Sequence, residues 1–339
     1  MLQRPALLRG LAVRQLPVLP VQQPSLPEPE HKQLYRDFVR SEPGLPLFSR
    51  DWWLDAVAGA DGWDVVLATR SGEVAAAMPY RLGRRFGFRW LSQPRLTPVL
   101  GPWIRPSSAK SAVALAQEKD LMEELIAALP RFDYFTQNWH PSRSNWLPFH
   151  WQGFSQTTRY TYVLNDLGDE ERLWSGLEKS VRTTIRKTQN RYNLRVRRDL
   201  GLDVFLELNR KTYGRQGLQP PYDDAVVRRL DAVCRERKCR EILIAVDGEG
   251  RPHAGEYMVW DENSAYALMG GADPELRHSG ATCLCLWEAI SQASRVTQSY
   301  DFCGSMIEGV ERQFRAFGAQ QRPYFRITKA SNALLRLFL

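Results

Sequence analysis

The sequence has few cysteines, and their placement excludes several chemistries. Five occur in 339 residues, at Cys234, Cys239, Cys283, Cys285 and Cys303. An odd count without a CxxC pair or zinc-ribbon spacing argues against a disulfide framework or a cysteine-built metal site. Reduced, packed thiols in a cytoplasmic protein without a metal are the expectation. No apolar run approaches the ~18 residues of a membrane span, and Arg4, Arg9 and Pro17 interrupt the leucine-rich start before a signal-peptide core develops. Walker loop, HExxH motif, dinucleotide fingerprint and Ser-His-Asp order are all missing. Acidic residues are lacking in one place above all, from 179 to 198.

That acid-free stretch holds eight cations: Lys179, Arg182, Arg186, Lys187, Arg191, Arg195, Arg197 and Arg198. Unrelieved by carboxylates, they repel one another unless an anion is near. Arg182, Arg186 and Lys187 therefore form a candidate platform for polyphosphate or tRNA, the alternative being a solvated helix face. Over the whole chain, 46 Lys and Arg against 38 Asp and Glu give +8, a moderate positive field favouring anionic ligands. Length and a 43% hydrophobic composition suit two globular domains.

Residues 1–40, rich in Pro, Gln and Leu, read as a mobile arm, with order beginning near Leu47. A first domain is expected over 41–164. It contains a short helix from Asp51 to Val57, strands at 63–69, 74–80 and 84–90, a proline-rich loop, a helix at 112–129 and a strand at 132–138. Phe154 to Leu164 closes it. A second domain, 165–339, opens on an amphipathic helix, 169–190, with Leu173, Leu177, Val181 and Ile185 on one stripe. Helices at 204–214 and 225–237 follow, then strands at 242–246, 252–260 and 265–271. The segment Arg277-His-Ser-Gly280-Ala-Thr282 leads into a helix, and a strand from Tyr300, a helix from Glu308 and a last strand, 322–328, complete the order. The order of elements in the first half repeats in the second, which predicts internal duplication.

This second-half order, with a small-residue loop between third strand and helix, resembles the GNAT acyltransferases. Arg277-x-x-Gly280-x-Thr282 is similar to their pyrophosphate loop, with Thr where Gly or Ala is usual. The tail Tyr300-Asp-Phe-Cys-Gly-Ser-Met-Ile-Glu308 through Gly318, together with Trp52-Trp-Leu-Asp-Ala-Val57, resembles the FemAB-like tandem-GNAT group, including bacterial proteins associated with cellulose biosynthesis. The resemblance covers roughly 47 to 330. It implies an α+β fold of two tandem GNAT-like domains, each a mixed, mainly antiparallel sheet flanked by helices. It also implies N-acyl transfer from acyl-CoA, such as acetyl-CoA, to an amine of a small-molecule, sugar or lipid-linked acceptor. Two alternatives stand beside it: an aminoacyl-tRNA-dependent, Fem-like transferase, and a binding module without chemistry. Fem ligases carry a lysine in a Phe-Lys-x-x-Phe-Gly segment and, in several cases, a coiled-coil arm; here Phe314 occupies the lysine's place and no such arm is present.

Such a transfer needs an anchored donor, a deprotonated amine and support for the oxyanion. Gly270, Gly271, Arg277, Ser279 and Gly280 are the candidate donor anchors. Glu256, alone in an apolar strand, is a candidate base with a raised pKa, or else an arginine's partner. Asp301 is a second candidate, or a turn ligand. Tyr300 and Tyr324 are candidate proton donors, Tyr324 being preferred; His253 and His278 are isolated. Ser305 and Glu308 have capping-box spacing. The first half, with eight of eleven tryptophans through Trp151, is expected to shape the acceptor cleft.

Overall fold

A computed structural model of the chain describes residues 19–20, 29–85, 87–304, 306–331 and 335. In the first half are β1 (Leu19–Pro20), α1 (Glu30–Ser41), α2 (Asp51–Ala58), β2 (Asp64–Arg70), β3 (Glu73–Arg85), β4 (Phe88–Ser92), β5 (Trp103–Ile104), α3 (Ser111–Ala128), β6 (Tyr134–Asn138), α4 (Leu147–Trp151) and β7 (Ser155–Asn165). The second half holds α5 (Glu170–Gly176), α6 (Lys179–Asn190), β8 (Arg195–Arg197), α7 (Gly201–Gly214), α8 (Asp224–Glu236), β9 (Arg240–Val246), β10 (Pro252–Trp260), β11 (Ala265–Ala272), α9 (Ala281–Ala293), β12 (Ser299–Asp301), α10 (Glu308–Arg315) and β13 (Gln320–Ala330). The α+β class expected from the sequence is the observed one, and the sheet is mainly antiparallel, with parallel pairs at β4–β6 and β11–β12.

The boundary at 164 does not separate two sheets. Strand order runs β1-β3-β4-β6-β13-β7-β12-β11-β10-β9-β8. The halves have exchanged their closing strands: β7 lies between β12 and β13, and β13 joins β6 of the first half. Both are 11 residues long, and they pair with each other from Gln320↔Val163 to Thr328↔Ser155. Long paired edges leave no free rim between the halves.

Two further expectations give way. Residues 30–41 are a helix, because Tyr35 and Phe38 provide an apolar face that packs with Trp63 and Trp103. The remainder of the expected arm, apart from Leu19–Pro20, lies outside the described residues. The amphipathic helix at 169–190 is broken into α5 and α6, since Leu177 is extended (ψ 142°) and the Glu178 amide donates to Ala316 O at 2.8 Å. Leu173, Leu177, Val181 and Ile185 nonetheless all enter one core, with Leu284 and Ile290 of α9 and Leu243 and Met258 of the sheet.

On the opposite sheet face, α2 packs against α8 rather than within its own half. Phe48 and Trp53 share a core with Phe205, Leu230, Tyr257 and Tyr266, Arg229 Nε donates to Ala56 O at 2.6 Å, and Leu47 N donates to Asp261 Oδ2 at 3.0 Å. Burial of large aromatic side chains at ~25 cal/mol per Å² makes such a shared core stabilising, so the halves form one fused body. Among the described residues no helix is long and apolar enough to cross a membrane.

Candidate functional site

Strands β11 and β12 run parallel but pair only at Ala265↔Tyr300 and Tyr266↔Asp301. Beyond Asp301 the chain leaves the sheet while β11 continues to Ala272, so the two diverge from that level. Cys303 and Gly304 take left-handed conformations (φ 58° and 65°) at the turn away. For Gly304 the reason is steric: a Cβ would lie 2.5 Å from Tyr160 O.

At the far end of β11 lies the loop into α9. Ser279, Gly280 and Cys283 amides are engaged within the loop, donating to Leu276, Arg277 and Gly280 carbonyls. Ala281 and Thr282, first in α9, find no backbone acceptor among the described residues, as is usual for an opening helical turn. Arg277 is exposed, and its guanidinium has no partner among the described residues. Two free amides, a helix N-terminus and an exposed guanidinium are thus brought together, groups that by their chemistry attract an anion.

The basic helix α6 lies directly over this loop. Thr188 Oγ1 is 2.6 Å from Ser279 O, and a Cβ on Gly280 (φ 76°) would lie 2.4 Å from Thr184 Cγ2. Gly280 is required by packing and by backbone hand together. Tyr192 then stacks edge-on with His278 at 5.6 Å, with Lys187 and Arg191 over its ring. The two anion signals in the sequence thus become one continuous surface. Arg182 is not part of it in the way expected: its guanidinium donates to Ser175 O and Leu177 O, both at 2.7 Å, capping the end of α5. Arg186 is exposed and reaches Trp174, and Lys187 carries no ion pair among the described residues.

Glu256 stands midway along β10, opposite Gly270. It is 5% exposed, and no hydrogen bond or ion pair reaches its carboxyl among the described residues, which rules out the expected arginine partner. Burial alone raises its pKa well above the usual range. Gly270 is exposed, and a Cβ there would lie 3.4 Å from Glu256 Oε2. The missing side chain leaves a window onto the carboxyl. Near it the Tyr300 hydroxyl is fully buried and makes no hydrogen bond among the described residues; burial, then the fields of Glu256, Cys303 and Asp301, push its ionisation well up.

Asp301 is half-buried. Its Oδ1 accepts from Thr161 Oγ1 and, at 2.7 Å, from the Cys303 amide. Burial raises it to about 6, the two hydrogen bonds opposing. It is therefore a turn ligand and also a carboxyl titrating close to neutrality. Next to it in register, Tyr266 lines a cavity of about 330 Å³ at the seam, with Trp103, His140 and Arg143 from the first half and Asp261 and Asn263 from the second. Burial, then Arg143, lower His140 to about 4.

Three expected roles change. Gly271 faces α7, where a Cβ would lie 2.5 Å from Asn209 N; its lack of a side chain permits that packing. Ser279 is 1% exposed, its hydroxyl turned inward to Leu276 O and His253. Tyr324 sits in β13 beside Arg159, 3.4 Å from its Nε, with no contact to Glu256 or Asp301; Tyr300 is the tyrosine near them. Phe314, half-buried, stacks on Phe302 at 4.8 Å and packs against the core. Ser305 lies outside the described residues, and Glu308 opens α10 after Ile307. Sequence reasoning missed Thr161 and the His253–Asp247 pair, for which only tertiary contact gives a signal.

Residues 175–321 match the acetyltransferase (GNAT) domain family. The second half is similar to a GNAT acyltransferase domain. Over the whole chain the fold is like that of FemX, whose crystal structure aligns with a TM-score of 0.63 at 14% identity, covering 91% of this chain and 98% of that one. L-PGS from Bacillus licheniformis aligns at 0.52 and 9% identity over 91% and 95%. A tandem GNAT protein from the clavulanic acid biosynthesis pathway aligns at 0.50 and 12% over 89% and 94%. No curated protein matches the sequence.

Proposed function

We propose that this acyltransferase moves an acyl group from acyl-CoA to the amine of an acceptor held at the seam between its halves. One observation carries the reading: β11 leads into the loop before α9, is paired on one side with Glu256 of β10 at Gly270 and on the other with Asp301 of β12 at Tyr266, and Tyr266 lines the seam cavity. Arg277 and the Ala281 and Thr282 amides would hold the donor's phosphates, and Gly270 would let its thioester approach Glu256. The acceptor amine, entering past Tyr266, attacks the thioester carbonyl. Its proton passes to Asp301, the C–N bond forms and the C–S bond breaks. A thiolate leaving group takes a proton from Glu256, whose burial without a cation favours the neutral acid. Two carboxyls set apart by their surroundings thus divide base and acid work.

Calorimetric titration with CoA and acetyl-CoA tests the donor, beside Arg277→Ala. Micromolar binding weakened by the substitution supports the reading. No binding by the folded wild type sinks it.

A second reading takes aminoacyl-tRNA as donor. Exposed Lys179, Arg186, Lys187, Arg191 and Arg195, none ion-paired among the described residues, favour it; Phe314, standing in the place of the Fem-type lysine, speaks against it. A shallower salt dependence of tRNA binding after Arg186→Gln with Lys187→Gln would support it.

A further inference from the structure

Helix α8 ends in a nested turn with a cysteine on each side of it. Cys239 N donates to Cys234 O at 3.0 Å, and inside that bond Lys238 N donates to Arg235 O at 3.1 Å. Lys238 is left-handed, with φ 53°. This pairing is the Schellman motif, in which a residue of the last helical turn and the second residue past the cap lay their side chains against each other. Hydrocarbon groups commonly make that contact. Here both partners are thiols.

Cys239 Sγ lies 3.6 Å from Cys234 O, and the two thiols are hydrogen-bonded to each other. Cys234 belongs to the core that holds Phe205 and Tyr257, and Cys239 packs against the same core. A disulfide requires Cα atoms about 4.4–6.8 Å apart, with the Cβ atoms turned toward each other. The backbone bond and the thiol contact put the pair there without any unwinding of α8.

The five thiols are not equivalent. Cys234 is fully buried and Cys239 half-buried. Their shared hydrogen bond, then burial, raises the Cys234 pKa; the same bond lowers that of Cys239, with burial opposing and Arg237 and Arg50 assisting. Burial lifts Cys283 to about 11 and raises Cys285 and Cys303 as well. Thiolate is the attacking species in exchange with a disulfide. One thiol is therefore reachable and ready, a second stands behind it, and burial holds the other three protonated.

We propose that Cys234 and Cys239 are a dithiol modification site, which low-molecular-weight disulfides close to an intramolecular disulfide. Cys239, as thiolate, attacks one sulfur of the reagent; the reagent's S–S bond breaks, a mixed disulfide forms, and the departing thiolate takes up a proton. Cys234 then gives up its proton and attacks Cys239 Sγ, releasing the second reagent thiol. The protein is oxidised by the loss of two hydrogens, and the reagent is reduced to two thiols. The new bond ties α8 to the residue before β9, where Trp260 N donates to Cys239 O at 3.1 Å and Arg237 lies over the Trp52 ring of α2. Nothing in this depends on the donor or acceptor of acyl transfer.

The test exposes the folded full chain to glutathione disulfide, then denatures it, blocks the remaining thiols with N-ethylmaleimide and reads intact mass and tryptic peptides. Trypsin cuts after Arg235, Arg237 and Lys238, so the bond would hold two separate peptides together. Before blocking, the wild type should weigh about 2 Da less than the reduced chain and retain no glutathione, and dithiothreitol should restore the reduced mass. Maleimide should then label only the other three of its five cysteines. Cys234→Ser should stop at the mixed disulfide on Cys239, and Cys239→Ser should leave Cys234 unreacted. Glutathione retained on the wild type, reaction of Cys283 or Cys303 as fast as that of Cys239, or five free thiols after treatment overturns the inference. Should either variant fail to fold, the wild-type peptide map decides alone, since the linked pair is present or absent.

Discussion

The two halves repeat an order of elements, yet the turn after the third strand differs completely between them. In the second half it is short and ends in free amides at the start of α9, with α6 laid over it at Gly280. In the first half, the segment from Gln93 to Lys110 contains β5 and a tight contact at Gly101 (φ 87°), where a Cβ would lie 2.7 Å from Trp139 Cδ1. That segment supplies Trp103 to the seam cavity instead of an anion site. A similar element order therefore carries two different loops: one leaves two amides unsatisfied at the start of α9 among the described residues, and the other packs its backbone against Trp139.

Substitutions on either side of that contrast sharpen or break it. The largest effect is expected at Asp301. Asp301→Asn should lower the rate of acyl transfer by about 10² to 10⁴ while leaving calorimetric donor affinity unchanged. Because Asp301 is raised to about 6, wild-type kcat/KM should fall as pH drops through that value, protonation removing the base, and this limb should vanish in the variant. Unchanged turnover would return Asp301 to a turn ligand alone.

Packing comes next. Gly271→Ala in the second half and Gly101→Ala in the first both force a methyl into occupied space, against Asn209 and Trp139 respectively. Each should cost about 1–3 kcal/mol, read as a lowered Tm. Only Gly271→Ala should also weaken CoA, because Asn209 Nδ2 donates to Gly270 O at 2.8 Å and α7 frames the donor strand. Equal loss of CoA binding from Gly101→Ala would erase the proposed division of labour.

Arg277→Ala should raise the CoA dissociation constant about tenfold with little change in kcat, since a contact made equally in ground and transition states acts on binding. Smallest of all, Arg186→Gln with Lys187→Gln should leave CoA affinity within about twofold, yet reduce the salt slope of tRNA binding by about 0.9 per lost phosphate contact if nucleic acid is bound there. Thermal stability should barely move, as both side chains are exposed.

Much of this was legible beforehand, for identifiable reasons. The periodic stripe of Leu173, Leu177, Val181 and Ile185 is buried as a set, and the strands around Glu256 and Gly270 form where alternation and turn residues place them. Glu256 was recognisable as a buried carboxyl because nothing polar surrounds it in sequence. Gly271 was not recognisable as a packing residue, because its neighbour, Asn209, is far away along the chain. Ser279 shows the same limit: a serine in an anion-loop pattern points to solvent in a local reading, and only His253, from another strand, turns it inward.

The sequence by itself determined the class of the fold, the position of the small-residue loop before α9 and the acid-free basic helix, because those depend on local periodicity, turn chemistry and charge. Tertiary structure alone decided that β7 and β13 change partners between the halves, that α6 closes over Gly280, and that Asp301 lies beside a cavity drawn from both halves. Strand edges and helix faces are interchangeable at the level of local preference. Which edge meets which is settled by the burial and hydrogen bonding of the assembled core.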